Sequence, residues 1–401
     1  MKNSKVSFHK CIDTKYDPQT SIVLRYRNAF KSEITEEDDL KYKDWLQRTS
    51  IKEGVRIFPL FIYKGVEIYI LDETSLMHTR TIKSIDGCIT IARSKLNGYE
   101  MVVFESGGNT GTALTEYGQR AGLETFFFVP EENLALLNSK TFESDRAHLI
   151  SCEEPGLVKR ATHLFERLNG LTHIPQTAWR YEASKFRGFF ILEYIIENRN
   201  FDCITQTISA AFGPIGVYSV LMNFREEIGN IPRFLGIQQE ANCPMYKAWK
   251  SKNAMIEPAE IDSTGQLLTK VMYDVKPHTY GTYKDLTAIL ISANGDLTTI
   301  NQFEFDSFLE CDFDGKDILA ILMNNEIDIT LTNGEILEKS GLIALAGTIK
   351  EIDKGNIAKG SRVLCCLTGG ASEADGKAKP QYRIPSLDSM IKNYSKQVFN
   401  L

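Results

Sequence analysis

Three glycine-rich loops in this chain each follow a short apolar run, and the first carries the most chemistry. Val102-Val103-Phe104 ends in Glu105-Ser106-Gly107-Gly108-Asn109-Thr110-Gly111, after which Thr112-Ala113-Leu114-Thr115 opens a helical pattern. A strand that feeds a glycine turn into a helix start presents several backbone N–H groups together, an arrangement that favours an anion. Glycine lets that backbone come close to a ligand. Asn109 adds a side chain that both donates and accepts. Taken alone, such a turn is also an ordinary strand-to-helix connection. The other two loops are Gly213-Pro214-Ile215-Gly216 and Thr368-Gly369-Gly370. Upstream of all three, Lys83 closes the segment Met77-His78-Thr79-Arg80-Thr81-Ile82-Lys83 at the head of a helical pattern.

Loops of this kind need strands and helices to position them, and the chain alternates between the two. Residues 21–26 read as a short strand, and 66–71 alternate as a strand does. Ile85, Cys88, Ile89 and Ala92 recur at helical spacing through Leu96. Strands are expected at 101–104, 124–130, 148–150, 203–208 and 234–238, and helices at 112–121, 157–169, 189–197 and 217–224. Residues 212–216 read as a loop. Further on, 316–320 and 327–331 read as strands, 341–349 as a helix and 362–367 as a last strand. The rhythm predicts an α/β fold whose mostly parallel sheets are covered on both faces. Ligands of such sheets bind beyond the carboxyl ends of the strands, where the four pieces could meet.

Composition narrows the classes. The chain has 401 residues, 43% hydrophobic and 24% charged, as in a globular protein of one large domain or two. A net charge of −6 argues against a nucleic-acid partner, which wants a basic face. There is no apolar run long enough for a membrane span and no apolar signal core after Met1, so the cytoplasm is the expected compartment. The eight cysteines form no CxxC pair, and Cys365-Cys366 lies in an apolar strand pattern. The six histidines show no metal-ligand spacing, so no metal site is expected. Neither GxGxxG nor GxxxxGK[ST] occurs, which argues against a nucleotide-binding α/β protein.

The lysine segment and the three loops together resemble the pyridoxal-phosphate enzymes of fold type II, the tryptophan synthase β-like family. Within it they are most similar to the threonine synthase group and its cysteate synthases. Thr81-Ile82-Lys83 is similar to the family's Ser-Phe-Lys, and Ser106 to Gly111 reproduce its Ser-x-Gly-Asn-Thr-Gly loop. Ala211 to Gly216 take the place of its phosphate loop. The run Gln238-Gln239-Glu240-Ala241-Asn242-Cys243-Pro244-Met245-Tyr246-Lys247-Ala248-Trp249 resembles cysteate synthases in particular. The resemblance covers residues 60 to 375. It departs from the family where Ser84-Ile85 replace Asp-Arg, and where Pro214 brings no N–H.

The resemblance implies pyridoxal 5'-phosphate as cofactor and a role for each piece. Lys83 would form the Schiff base, with a depressed pKa, and would take the substrate's α-proton. Asn109 would hold the cofactor's ring hydroxyl. Backbone at Ser106, Gly107, Gly108 and Thr110 would hold the substrate carboxylate. Gly213, Pro214, Ile215 and Gly216 would form the phosphate loop, and Thr368 would face the pyridine nitrogen. A neutral hydroxyl there favours elimination and replacement over transamination. An anionic substrate or nucleophile needs cations, for which Arg80, Lys185 and Arg187 are the candidates; His78, His278, Tyr246 and Trp249 read as structural.

The implied architecture is two three-layer α/β domains, one of residues 1–94 with 190–401 and a smaller mobile one of 95–189 carrying the asparagine loop. The implied partners are a small amino-acid substrate, an anionic nucleophile and a second copy of the chain in a homodimer. The implied reaction is β-replacement on O-phospho-L-serine by sulfite to give L-cysteate, through an external aldimine and aminoacrylate. Threonine synthesis from O-phosphohomoserine and serine or threonine deamination are the alternatives within the family. A binding module with a degenerate site is the alternative outside catalysis.

Overall fold

The computed structural model describes residues 7–30, 35–257, 267–272, 281–327, 329, 331–332, 335–336, 338–369 and 374–389. The positions Gly370 and His278, and the stretch 371–373 after the third loop, lie outside them. Along the chain run α1 (Ile22–Arg25), α2 (Glu36–Thr49), β1 (Arg56–Tyr63), β2 (Val66–Asp72), α3 (Lys83–Leu96), β3 (Met101–Glu105), α4 (Asn109–Arg120), β4 (Glu124–Pro130), β5 (Ala147–Cys152), α5 (Val158–Asn169), β6 (Thr172–His173) and α6 (Thr177–Glu197). There follow β7 (Cys203–Thr207), α7 (Phe212–Asn223), α8 (Arg225–Ile228), β8 (Arg233–Gln239), α9 (Pro244–Lys250), α10 (Tyr283–Ser292), β9 (Asp296–Ile300), α11 (Gln302–Leu309), α12 (Ile318–Asn324), β10 (Leu331–Thr332), β11 (Glu335–Ile336), α13 (Lys339–Asp353), β12 (Arg362–Leu367) and β13 (Tyr382–Ile384). Among the described residues no helix is long and apolar enough to cross a membrane.

The chain divides into two compact units, each with one main sheet. The first takes residues within Met1–Glu53, Met77–Ala183 and Ala371–Leu401. Its sheet runs β13-β5-β4-β3-β6 and is parallel throughout. Val103, Phe126, Phe128, Ile150 and Phe165 form a core on this sheet. The second unit takes Gly54–Leu76 and Ser184–Gly370. Its sheet runs β1-β2-β12-β7-β8-β9, with only β1 antiparallel to its neighbour. Ile68, Leu235, Ile237, Leu345 and Val363 belong to its core. The α/β class and the mostly parallel sheets follow the expectation.

The boundaries do not. Lys83 falls in the same unit as Asn109, because α3 packs tightly on α4. A Cβ on Gly87 of α3 would come within 2.8 Å of the Tyr117 ring and 3.0 Å of the Ala113 carbonyl. Buried Glu53 draws in the N-terminal residues: it accepts from Ser21 Oγ and Ser50 Oγ, both at 2.5 Å, and from Tyr117 Oη at 2.7 Å. The C-terminal β13 joins this unit too, in register with β5 from Tyr382↔Ile150.

Local departures have local causes. Residues 22–25 are helical rather than extended, with Ser21 capping the Leu24 N–H at 3.3 Å. Residues 318–324 are helical because Asp317 caps the Ala320 N–H at 2.7 Å. The expected loop at 212–216 is the first turn of α7. α6 begins at Thr177, well before the expected 189.

Candidate active site

The sequence-expected site residues separate into two groups, one in each unit. In the first, Lys83 opens α3. The segment before it is pinned by buried hydroxyls: Thr79 N–H donates to Ser84 Oγ at 2.9 Å, and Lys83 N–H donates to Thr81 Oγ1 at 3.1 Å. These bonds hold the lysine at the helix head. Its side chain is 26% exposed, and Nζ donates to Asp86 Oδ2 at 2.7 Å. Asp86 sits three residues on, on the same helix face. That partner went unnoticed in the sequence, although the spacing signals it. Arg80 stands at φ +57, a left-handed backbone that costs a non-glycine residue. His78 is bound by Glu116 of α4, as a structural histidine is.

The asparagine loop is built in the same unit. Ser106 N–H donates to the Phe128 carbonyl at 3.1 Å, and Gly108 N–H donates to Ser106 Oγ at 3.1 Å. Two of the N–H groups expected to face a carboxylate are therefore committed, one to β4 and one within the loop. The Gly107 carbonyl accepts from Asn133 Nδ2 at 3.0 Å, a contact with no sequence signal. Gly108, at φ +155, is the N-cap of α4, and its carbonyl accepts from Thr112 N–H at 3.0 Å. Asn109, Thr110 and Gly111 form the first turn of α4, whose N–H groups have no acceptor inside the helix. A Cβ on Gly108 would meet nothing within 4 Å, so this helix head borders open space.

The second group holds the other loop. Ala211 caps α7 in the left-handed conformation, φ 60 and ψ 13. Ile215 N–H donates to the Ala211 carbonyl at 3.3 Å and so belongs to the helix, not to a ligand cradle. Pro214 has no N–H to offer. The N–H groups of Phe212 and Gly213 belong to the first turn of α7, where the helix itself offers no acceptor. Gly216 lies one turn further in, with its carbonyl accepting from Ser219 Oγ at 2.7 Å. Thr368 is buried just past β12, and the next residue, Gly369, donates its N–H to Glu338 Oε1 at 3.1 Å.

Two of the cationic candidates, Lys185 and Arg187, lie on the stretch of α6 that belongs to the second unit. Lys185 is half-buried. Arg187 is 2% exposed and its charge is engaged: Nε and Nη2 grip the two oxygens of Glu73, the latter at 2.5 Å, and Nη2 also donates to Gln206 Oε1 at 2.9 Å. Burial pushes the Glu73 carboxyl above its ordinary value, and the guanidinium beside it opposes that rise. A cation so placed cannot reach out to a diffusing substrate, so the expected substrate-binding role for Arg187 does not fit. Burial also pushes the Cys203 and Cys365 thiols up to about 12, which suits inert strand fillers rather than nucleophiles.

No family model matches the chain. In sequence it is similar to the cysteate synthase of Methanosarcina acetivorans, 25% identical over 323 residues that span 77% of this chain and 73% of that protein. It is also similar to threonine synthase of the same organism, 24% identical over 311 residues, 76% of this chain and 70% of that one. In structure it is similar to a pyridoxal 5'-phosphate-dependent aspartate racemase, with a TM-score of 0.58, 14% identity, and 86% and 98% of the two chains covered.

Proposed function

We propose that this chain, which has the fold of the type II pyridoxal-phosphate enzymes and a sequence similar to cysteate and threonine synthases, uses that cofactor for β-replacement on an amino acid. The observation that carries the reading is Lys83: an amine at a helix head, partly exposed, with its backbone fixed by buried hydroxyls. The residues present suit the group. The head of α7 gathers N–H groups for a phosphate, and Gly108 leaves open space at the head of α4.

The cofactor, when bound, supplies an aldehyde that condenses with an amine and a ring that accepts electrons. Lys83 would hold it. Asn109 would fix the ring hydroxyl, the head of α7 the phosphate, and Thr368 the ring nitrogen. Lys83 Nζ would also take the substrate's α-proton. Its contact with Asp86 keeps Nζ pointed. The first-turn N–H groups of α4, Thr110 among them, hold the substrate carboxylate. Arg80 and Lys185 are the cations offered to its phosphate or to the incoming anion.

The finer reading takes O-phospho-L-serine and sulfite to L-cysteate and phosphate; O-phosphohomoserine is the close alternative substrate. A cytoplasmic homodimer goes with it, which sedimentation would check. The deciding experiment is absorbance of the purified protein with the cofactor, followed by phosphate release from both substrates with sulfite present or absent. A band lost in Lys83→Ala and sulfite-dependent release from phosphoserine are expected. Colour unchanged in Lys83→Ala overturns the lysine assignment. Pro214 favours one second reading, a ligand-binding module without turnover, which an inert protein in the whole substrate screen would support.

A further inference from the structure

The substrate-binding role does not fit Arg187, yet its position remains to be explained. It lies on α6, 2% exposed, and is gripped by Glu73, which follows β2 and is 0% exposed. Gln206 of β7 accepts a further bond from Nη2 at 2.9 Å. Fixed by these two, Nη1 lies directly against the head of α7: a Cβ on Gly213 would sit 2.6 Å from it and 2.7 Å from Gln206 Nε2. The space that a side chain would take at Gly213 is thus filled by a guanidinium edge and an amide. All four residues belong to one unit. Glu73 takes Nε and Nη2, so the Nη1 edge of the buried ion pair, its positive end, is the one against the helix head, where it is shielded from water and little screened by salt.

We infer that Arg187, aimed by Glu73 and Gln206, is a positioning residue for a phosphate group held at the head of α7, and turns toward it the positive Nη1 edge of its ion pair, which makes up for the donor missing at Pro214. The inference rests on the reading that this helix head takes the phosphate of pyridoxal phosphate. It adds a residue set, Glu73, Gln206 and Arg187, whose work is to hold the backbone of Gly213 and bias the site toward a dianion. Gly213 is then required for the closeness of the guanidinium rather than for its own backbone angles.

The test titrates apoprotein with pyridoxal 5'-phosphate and, separately, with pyridoxal, which lacks the phosphate. The double variant Glu73→Leu with Arg187→Met replaces the buried pair by apolar side chains of similar size, a change that folds tolerate. Gly213→Ala, which displaces the guanidinium, is the second variant should the first fail to fold. The expected result is a loss of at least about tenfold in affinity for the phosphorylated form, the scale of a lost charge-assisted contact. Affinity for pyridoxal should stay near wild type, as should the melting temperature of the apoprotein in the double variant. Equal affinity for the phosphorylated form in wild type and variant overturns the inference alone. So does an equal loss for both ligands, since that marks a general effect on the fold. A wild-type protein that binds neither ligand overturns the cofactor reading and this inference with it.

Discussion

Gly111→Ala tests the packing that holds the asparagine loop in place. The added methyl would lie 2.1, 2.2 and 2.6 Å from Cζ, Cε2 and Cε1 of Phe127. Phe127 is fully buried on β4 and cannot swing aside freely, because it stacks on Phe104 at 5.6 Å and on Phe142 at 6.0 Å. Overpacking typically costs about 1–3 kcal/mol, and three collisions with one ring place this site at the upper end. Alanine's better helix propensity offsets up to about 1 kcal/mol. The net loss is about 2 kcal/mol, a fall of about 4–8 °C in melting temperature for a unit of this size. Circular dichroism melts measure it. Phe127→Leu removes the ring atoms that collide and alone costs about 1 kcal/mol or somewhat more. In the double variant the two losses should fall short of their sum by about 1–2 kcal/mol. A Gly111→Ala protein that melts with wild type, or a double variant whose losses simply add, would refute the reasoning. Cofactor affinity should fall with stability, since Asn109 rides on the same helical turn.

Other outcomes follow from the same geometry. Ala211→Gly relieves a left-handed backbone at the α7 cap and should stabilise by about 1 kcal/mol; a lower melting temperature would contradict the strain argument. Burial pushes the carboxyls of Glu105 and Glu116 up, but hydrogen bonds and charge from His173 and His78 outweigh it and hold both below their ordinary values. Groups lowered in the folded state stabilise it above the ordinary glutamate value of about 4.3, and that contribution is lost as pH falls through their lowered values. Glu105→Gln should therefore lose less melting temperature than wild type between about pH 6 and pH 3. Equal losses would remove the His173–Glu105 contact, 2.5 Å long, as a source of acid sensitivity.

Much of the frame was legible from pattern alone. The strands at 124–130 and 362–367 and the helix at 158–169 carry long apolar periods, and a parallel α/β class follows from their alternation. Caps were the weak point. Ser21 and Asp317 each decide a helix where short apolar runs suggested strands, because one side-chain oxygen satisfies an N–H that the pattern does not count.

The site divides in the same way. By itself the sequence determined which residues could do chemistry: Lys83, the loop of Ser106 to Gly111 and the glycines at the head of α7 are local motifs, and local motifs survive in any fold that keeps them at a strand end. Only the tertiary structure decided which groups are still at liberty to act. Ser106 gives its N–H to Phe128 of β4, Gly108 gives its own to Ser106 within the loop, Ile215 gives its own to the first turn of α7, and Arg187 gives Nε and Nη2 to Glu73. The physical reason is that a donor or a charge has limited capacity, and the partners of Ser106 and Arg187 come from β4 and from the residue after β2, which no stretch of sequence around them contains.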